Sequence, residues 1–357
     1  WALNIYGWVD KDELADTEIK SEGKELLKPS QLAKIGEEIT GVAPTYVSYS
    51  KDAPARVGSY GRGARVSVLL NPYDGSMIDG QTIEKPGRRG ENQKFSFWNF
   101  IRQGHRSLWL PREIGSPIVN YGTLAFVVVL ITGIIIWFPK SKKAAKNRLW
   151  FNWNGRTPIK RKLFDLHSVL GFYICFILLA IAFTGMVWGI NWWSEGLYKA
   201  TSGGKDLPEW GLAKSDTLRI DTLMTPTLAA DMIFDKLSKE NTSAEGLSIN
   251  FPSLDDNASV VSATVSPEKD VYYNSDRYTF DRYSLAEIKV DGPYTGKYSE
   301  AGFGDKLRRM NYEIHIGSVL GTPGRLLVFF GALFGASLPL TGFYIFFKTR
   351  MNKKKKR

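Results

Sequence analysis

Val169-Leu-Gly-Phe-Tyr-Ile-Cys-Phe-Ile-Leu-Leu-Ala-Ile-Ala-Phe-Thr-Gly-Met-Val-Trp-Gly-Ile190 runs for 22 residues without a charge. A helix rises about 1.5 Å per residue, so such a run spans the roughly 30 Å of bilayer hydrocarbon. Residues 118–138 form a second run of this kind, and residues 316–347 a third that is interrupted only by Arg325. The average composition, 43% hydrophobic, hides these blocks because the rest of the chain is strongly polar. The expected membrane part is therefore an α-helical bundle with three visible spans, at 118–138, 168–190 and 313–347.

Charge sets the expected orientation. The loop 139–167 and the tail 348–357 hold 16 of the 47 Lys and Arg residues but one of the 36 acids. Short cytoplasmic segments collect such an excess, which puts loop and tail inside and residues 1–117 and about 191–315 outside. The remainder of the chain stands at net −4, so the total of +11 reads as a topology signal and not as a nucleic-acid footprint. The basic run 353–357 also suits anionic lipid headgroups. With the N-terminal residues outside, a fourth span is expected ahead of Trp1, and Trp1-Ala-Leu-Asn-Ile-Tyr6 reads as its end. The single cysteine, Cys175, lies mid-span and excludes a disulfide within the chain.

The two outer segments, 1–95 and 191–312, repeat one order of elements. The first has a predicted helix at 29–40, strands near 45–49 and 65–70, and a strand–turn–strand signal in Asn71-Pro-Tyr-Asp-Gly-Ser-Met-Ile-Asp-Gly80. The second has a helix at 227–240, strands at 247–251 and 258–266, and a hairpin at 278–288. Each is expected to be its own α+β domain, a helix on a small antiparallel sheet. Neither contains a nucleophile–base pair, a phosphate loop or a metal cluster. Gly61-Arg-Gly63 and Gly87-Arg-Arg-Gly90 read as flexible loops.

All three histidines lie beside apolar runs. His105 falls in the helical stretch 96–117, His167 at the inner start of the second span, and His315 at the outer start of the third. Ionisable residues at membrane depth are functional by default. His105 precedes Phe138 by 33 residues and His315 precedes Phe347 by 32, so helical segments would raise both imidazoles to about the same height near the outer face. Two neutral imidazoles from facing helices are a standard way to hold a haem iron. His167 has no partner in this sequence, and the span expected ahead of Trp1 is where one is sought. Zinc asks for three or four ligands, and a proton relay asks for acids that these spans lack. Arg325, Arg106 and Arg112 are candidate partners for haem propionates, although for Arg106 and Arg112 headgroup contact is an equal reading. Gly317-Ser-Val-Leu-Gly321 either packs helices or clears space for a flat porphyrin. A Thr-Gly pair recurs late in every span, as Thr132-Gly133, Thr184-Gly185 and Thr341-Gly342.

Over nearly its whole length the sequence resembles the PepSY-associated transmembrane family of bacterial inner-membrane proteins. The resemblance is carried by His105-Arg-Ser-Leu-Trp-Leu-Pro-Arg-Glu-Ile-Gly115, Asp165-Leu-His-Ser-Val-Leu-Gly-Phe-Tyr173 and Tyr312-Glu-Ile-His-Ile-Gly-Ser-Val-Leu-Gly-Thr-Pro-Gly324. It implies four transmembrane helices, two periplasmic PepSY domains and two b-type haems held by histidine pairs. On that basis His105 and His315 would ligate the periplasmic haem, and His167 the cytoplasmic one, opposite a histidine on the first helix. The implied activity is ferric-siderophore reduction for iron uptake, with electrons from a quinol or a cytoplasmic reductase. Reduction alone would release the metal, because siderophores grip Fe(III) through hard oxygen ligands and hold Fe(II) weakly. Since the outer residues carry net negative charge, anionic chelates would need a local basic patch, expected around Arg308 and Arg309. Two rival readings are a PepSY-domain interaction or regulatory protein, and a haem subunit that passes electrons to a periplasmic partner enzyme.

Overall fold

The computed structural model describes residue 15 and residues 17–21, 23–61, 64–78, 97–211, 213–218, 220–269 and 271–354. Trp1 to Tyr6, the glycine-rich segment 87–90, Arg62 and Gly63, the hairpin end at Asp79 and Gly80, and Lys355 to Arg357 lie outside the described residues. The chain begins with α1 (Pro29–Thr40), β1 (Tyr46–Ser50), β2 (Ala55–Gly61) and β3 (Ala64–Leu70). It continues with α2 (Phe97–Ser107), α3 (Arg112–Trp137), α4 (Lys142–Leu149), α5 (Ile159–Asp165), a π-helical turn (Leu166–Leu170), α6 (Gly171–Met186) and α7 (Asn191–Thr201). The last part holds α8 (Pro226–Glu240), β4 (Gly246–Asn250), β5 (Val261–Ser266), β6 (Asp276–Phe280), α9 (Phe303–Arg309) and α10 (Asn311–Ile316). A 3-10 turn (Ser318–Leu320) and α11 (Gly321–Lys354) complete it. These elements form two compact units. Residues 97–197 and 310–354 make a helical unit, and the described residues of 15–78 and 198–309 make a sheet unit.

In the sheet unit each of the two segments builds a helix and three strands, but the two do not stay separate. They form one antiparallel sheet of order β3-β2-β1-β4-β5-β6. The join runs from Tyr46 opposite Asn250 to Ser50 opposite Gly246. Alone, each triplet would present an unpaired strand edge, and pairing β1 with β4 satisfies both rows of backbone groups. One core lies beneath the join, with Val47, Val57, Ile249, Val261 and Phe280 from the strands meeting Leu32 of α1 and Ile233 and Leu237 of α8. Asp231 of α8 adds a polar link, accepting from Ser30 N at 2.9 Å and Ser30 Oγ at 2.5 Å at the start of α1. A carboxylate there complements the unsatisfied N–H groups and the positive end of the helix dipole. The expectation of two separate domains is thus corrected to two modules sharing a sheet and a core. Strand β2 was not foreseen, since Gly58 and Ser59 weaken its β-propensity.

The helical unit contains three helices long and apolar enough to cross a membrane, Arg112–Trp137, Ile159–Met186 and Ser318–Lys348. The second is central, with 39% of its most apolar window buried against 11% for each of the others. α6 meets α3 through Ala182, Met186 and Val127, and meets α11 through Leu178, Phe334 and Leu338. α11 comes close because Gly331 and Gly335 lack side chains, and a Cβ there would stand 2.9 Å from Ile177 and 2.8 Å from Leu178. Val129, Ile135 and Ile136 of α3 and Leu340 and Phe343 of α11 remain exposed, which suits a lipid solvent.

Three expectations change here. The third span is not one helix from 313, because α10 stops at Gly317 (φ 79°) and α11 starts at Gly321 (φ 63°). A Cβ on Gly324 would lie 2.1 Å from the Gly317 carbonyl oxygen, so the Gly317–Gly321 stretch is a tight corner packed on the start of α11. The stretch 96–117 also breaks, with Leu108 and Trp109 at φ 52° and 58° between α2 and α3. Finally, the basic loop 139–167 is partly helical, and α5 runs through the π turn into α6.

Candidate functional site

Both breaks bear on the histidines. α2 carries His105, α10 carries His315, and their ring centroids stand 6.3 Å apart at an interplanar angle of 47°. With metal–nitrogen bonds of about 2.0 Å and roughly 1.1 Å from nitrogen to ring centre, two imidazoles on opposite sides of one metal have centroids about 6.2 Å apart. At this spacing His105 and His315 would be able to hold one metal between them.

The surroundings of His315 also hold its ring in place. Its Nδ1 lies 3.0 Å from the Ile181 carbonyl and 3.0 Å from Thr184 Oγ1. A carbonyl only accepts, so Nδ1 carries the proton and Nε2 keeps its lone pair. Burial, with the His105 imidazole adding to it, pushes His315 down to about 4, so the ring is neutral at physiological pH. Trp188 packs edge-on against it at 5.1 Å. Asn311 anchors α10 to α6 by donating to the Thr184 carbonyl at 3.2 Å.

His167 stands apart from this pair, on the π turn Leu166–Leu170. Such turns are frequent at functional sites because the extra residue redirects a side chain. His167 Nδ1 is 2.9 Å from Thr341 Oγ1 of α11. Asp165, just before the turn, is buried and accepts from Arg161 Nε at 2.9 Å and Trp153 Nε1 at 3.0 Å, fixing this end of the span.

Arg325 lies near the start of α11, and its Nε is buried with no hydrogen-bond partner among the described residues. An orphaned buried cationic donor is costly unless it meets an acceptor, and a haem propionate is an acceptor of the right charge. Arg106 and Arg112 are exposed at the end of α2 and the start of α3. The expected basic patch is corrected. Arg309 is buried and donates to the carbonyls of Pro293, Ser275, Thr295 and Gly296, while Arg308 reaches the Tyr294 hydroxyl at 3.5 Å. Carbonyls of the loops flanking β6 capture Arg309, which no local pattern announces. Sequence reasoning also missed Trp188, Asn311 and the π turn. It noticed the Thr-Gly pairs, without seeing that two of them touch histidines.

Fold and site together define a multispan membrane protein that brings two tilted imidazoles within 6.3 Å of each other and carries a separate α+β unit. The chain belongs to the PepSY-associated TM region family, whose family model matches residues 3–349. Among curated proteins, none matches it.

Proposed function

We propose that the protein is a haem-b electron-transfer protein of the bacterial inner membrane, with its sheet unit in the periplasm, that reduces ferric siderophores or similar ferric chelates for iron uptake. The observation that carries this reading is the 6.3 Å separation of the His105 and His315 rings. Haem supplies a reversible one-electron couple, while the protein contributes ligation, orientation and electrostatics. His105 and His315 would hold one haem, with the Nδ1 bonds of His315 turning Nε2 toward the metal. The unpartnered Arg325 Nε suits its propionates. His167 would be a ligand of a second haem. The electron donor is a quinol or a cytoplasmic reductase, on the side of the basic loop and tail. The ferric acceptor rests on the family resemblance and on the weak grip of siderophores on Fe(II).

A second reading, delivery of electrons to a partner protein, is favoured by a cleft of about 470 Å³ in the sheet unit. Lys205, Arg277, Lys289, Glu287, Asp291 and Glu300 are among its lining residues, a mixed-charge surface of the kind that complements another protein. One experiment separates the readings. The full-length protein is purified in detergent, its haem content is measured, and it is reduced anaerobically and mixed with a ferric siderophore and an Fe(II) trap. Haem reoxidation with matching Fe(II) release is expected. Reoxidation without Fe(II), or none with any chelate, favours the partner protein, and a colourless preparation favours a regulatory role for the PepSY modules.

A further inference from the structure

We propose that the recurring Thr-Gly pair is an imidazole seat, in which the threonine and glycine of one helix position a ligating histidine from another segment and tune the iron it binds. The inference rests on the haem reading above and names residues that act through the ligands.

The same arrangement occurs twice, between different elements. Thr184 Oγ1 donates within its own helix, 2.7 Å from the Ala180 carbonyl, and so turns a lone pair toward His315 Nδ1 at 3.0 Å. Thr341 Oγ1 does likewise, 3.1 Å from the Ser337 and Leu338 carbonyls and 2.9 Å from His167 Nδ1. Beside each threonine the histidine ring packs over the glycine, tightly at Gly185 and at ordinary contact distance at Gly342. A Cβ on Gly185 would stand 3.3 Å from His315 Cε1, and one on Gly342 would stand 3.4 Å from His167 Cε1. The two seats are reciprocal. The π turn leading into α6 sends His167 to α11, and α10, leading into α11, sends His315 to α6.

The third pair shows that the imidazole contact does not follow from the Thr-Gly sequence alone. Thr132 Oγ1 bonds the Val128 and Val129 carbonyls at 2.8 and 3.0 Å, the ordinary habit of a helical threonine. Gly133 has nothing within 4 Å of a would-be Cβ among the described residues. At the two occupied seats the hydroxyl accepts from the Nδ1 proton, shared at His315 with the Ile181 carbonyl that fixes the tautomer, and so restrains ring rotation and makes Nε2 more electron-rich. A more electron-rich ligand favours ferric over ferrous iron, as outer-shell acceptors do for metal-bound histidines.

The test replaces Thr184 and Thr341 singly by Val and by Ser in the haem-loaded full-length protein. The midpoint potential and low-spin electron paramagnetic resonance g values of each centre are then measured. Thr184→Val should raise the potential of one centre, Thr341→Val that of the other, and both Ser variants should return wild-type values. Loss of haem from Thr184→Val with retention in Thr184→Ser supports the seat equally. Unmoved potentials and g values in both Val variants overturn it, as do Ser variants that behave like Val. A colourless wild type overturns the seat together with the haem reading, whereas a coloured wild type with unmoved variants overturns the seat alone.

Discussion

His315 and His167 share their local chemistry and differ in how their surroundings are completed. Each places Nδ1 about one hydrogen-bond length from a threonine hydroxyl, with a glycine beside the ring. His315 also faces a second imidazole, that of His105. His315 reaches its seat from a six-residue helix closed by Gly317 in the left-handed region, so the chain must stop and turn to deliver it. His167 stands on a π turn inside a continuous span, so a local irregularity of one helix is enough. The comparison teaches that one kind of seat can be reached by tertiary approach or by a helix defect.

The largest effect should come from removing the imidazoles. His105→Ala and His315→Ala are each expected to abolish the same half of the haem absorbance, with the double variant losing no more. His167→Ala should remove the other half. Losses that add across His105 and His315 would break the comparison, because the two would then belong to different centres. A smaller, lopsided effect is expected from Gly335→Leu, which drives a side chain into Leu178 and forces α11 away from α6. Overpacking of this kind costs about 1–3 kcal/mol. Thr341 moves with α11, whereas Thr184 stays on α6, so the His167 centre should lose haem at lower temperature while the His315 centre keeps its band. Equal loss from both on a thermal ramp would count against separate seats. The smallest effects belong to Gly185→Ala, where the His315 ring must give by tenths of an ångström, and Gly342→Ala, where a Cβ would meet the His167 ring at ordinary contact distance. A side chain held off its rotamer costs about 0.5–1.5 kcal/mol. Haem retention on dilution should fall severalfold for Gly185→Ala and little for Gly342→Ala, and a larger loss at Gly342 would reverse the order read from the Cβ distances.

The spans were legible because a 20-residue uncharged run has few other uses, and α1 was legible from Pro29 and the apolar spacing after it. The matched distances from His105 and His315 to the ends of their spans also pointed to one height, although both connecting segments are broken. The breaks at Leu108–Trp109 and at Gly317–Gly321 interrupt both routes, and the rings still meet. The joining of β1 to β4 was not legible, because an unpaired edge does not name its partner and Tyr46 and Asn250 lie far apart in the chain. The burial of Arg309 was hidden for a similar reason, since its acceptors are loop carbonyls whose positions only the folded sheet unit defines.

The sequence by itself determined which segments are apolar enough to leave water, where the polar exceptions lie and which residue types stand beside them, since these follow from composition and periodicity along the chain. Tertiary structure alone decided that Thr184 serves His315, that Thr341 serves His167, and that two modules share one sheet. A hydrogen bond or a strand pairing depends on position in space to within tenths of an ångström, and that precision exists only once α6, α10 and α11 have packed.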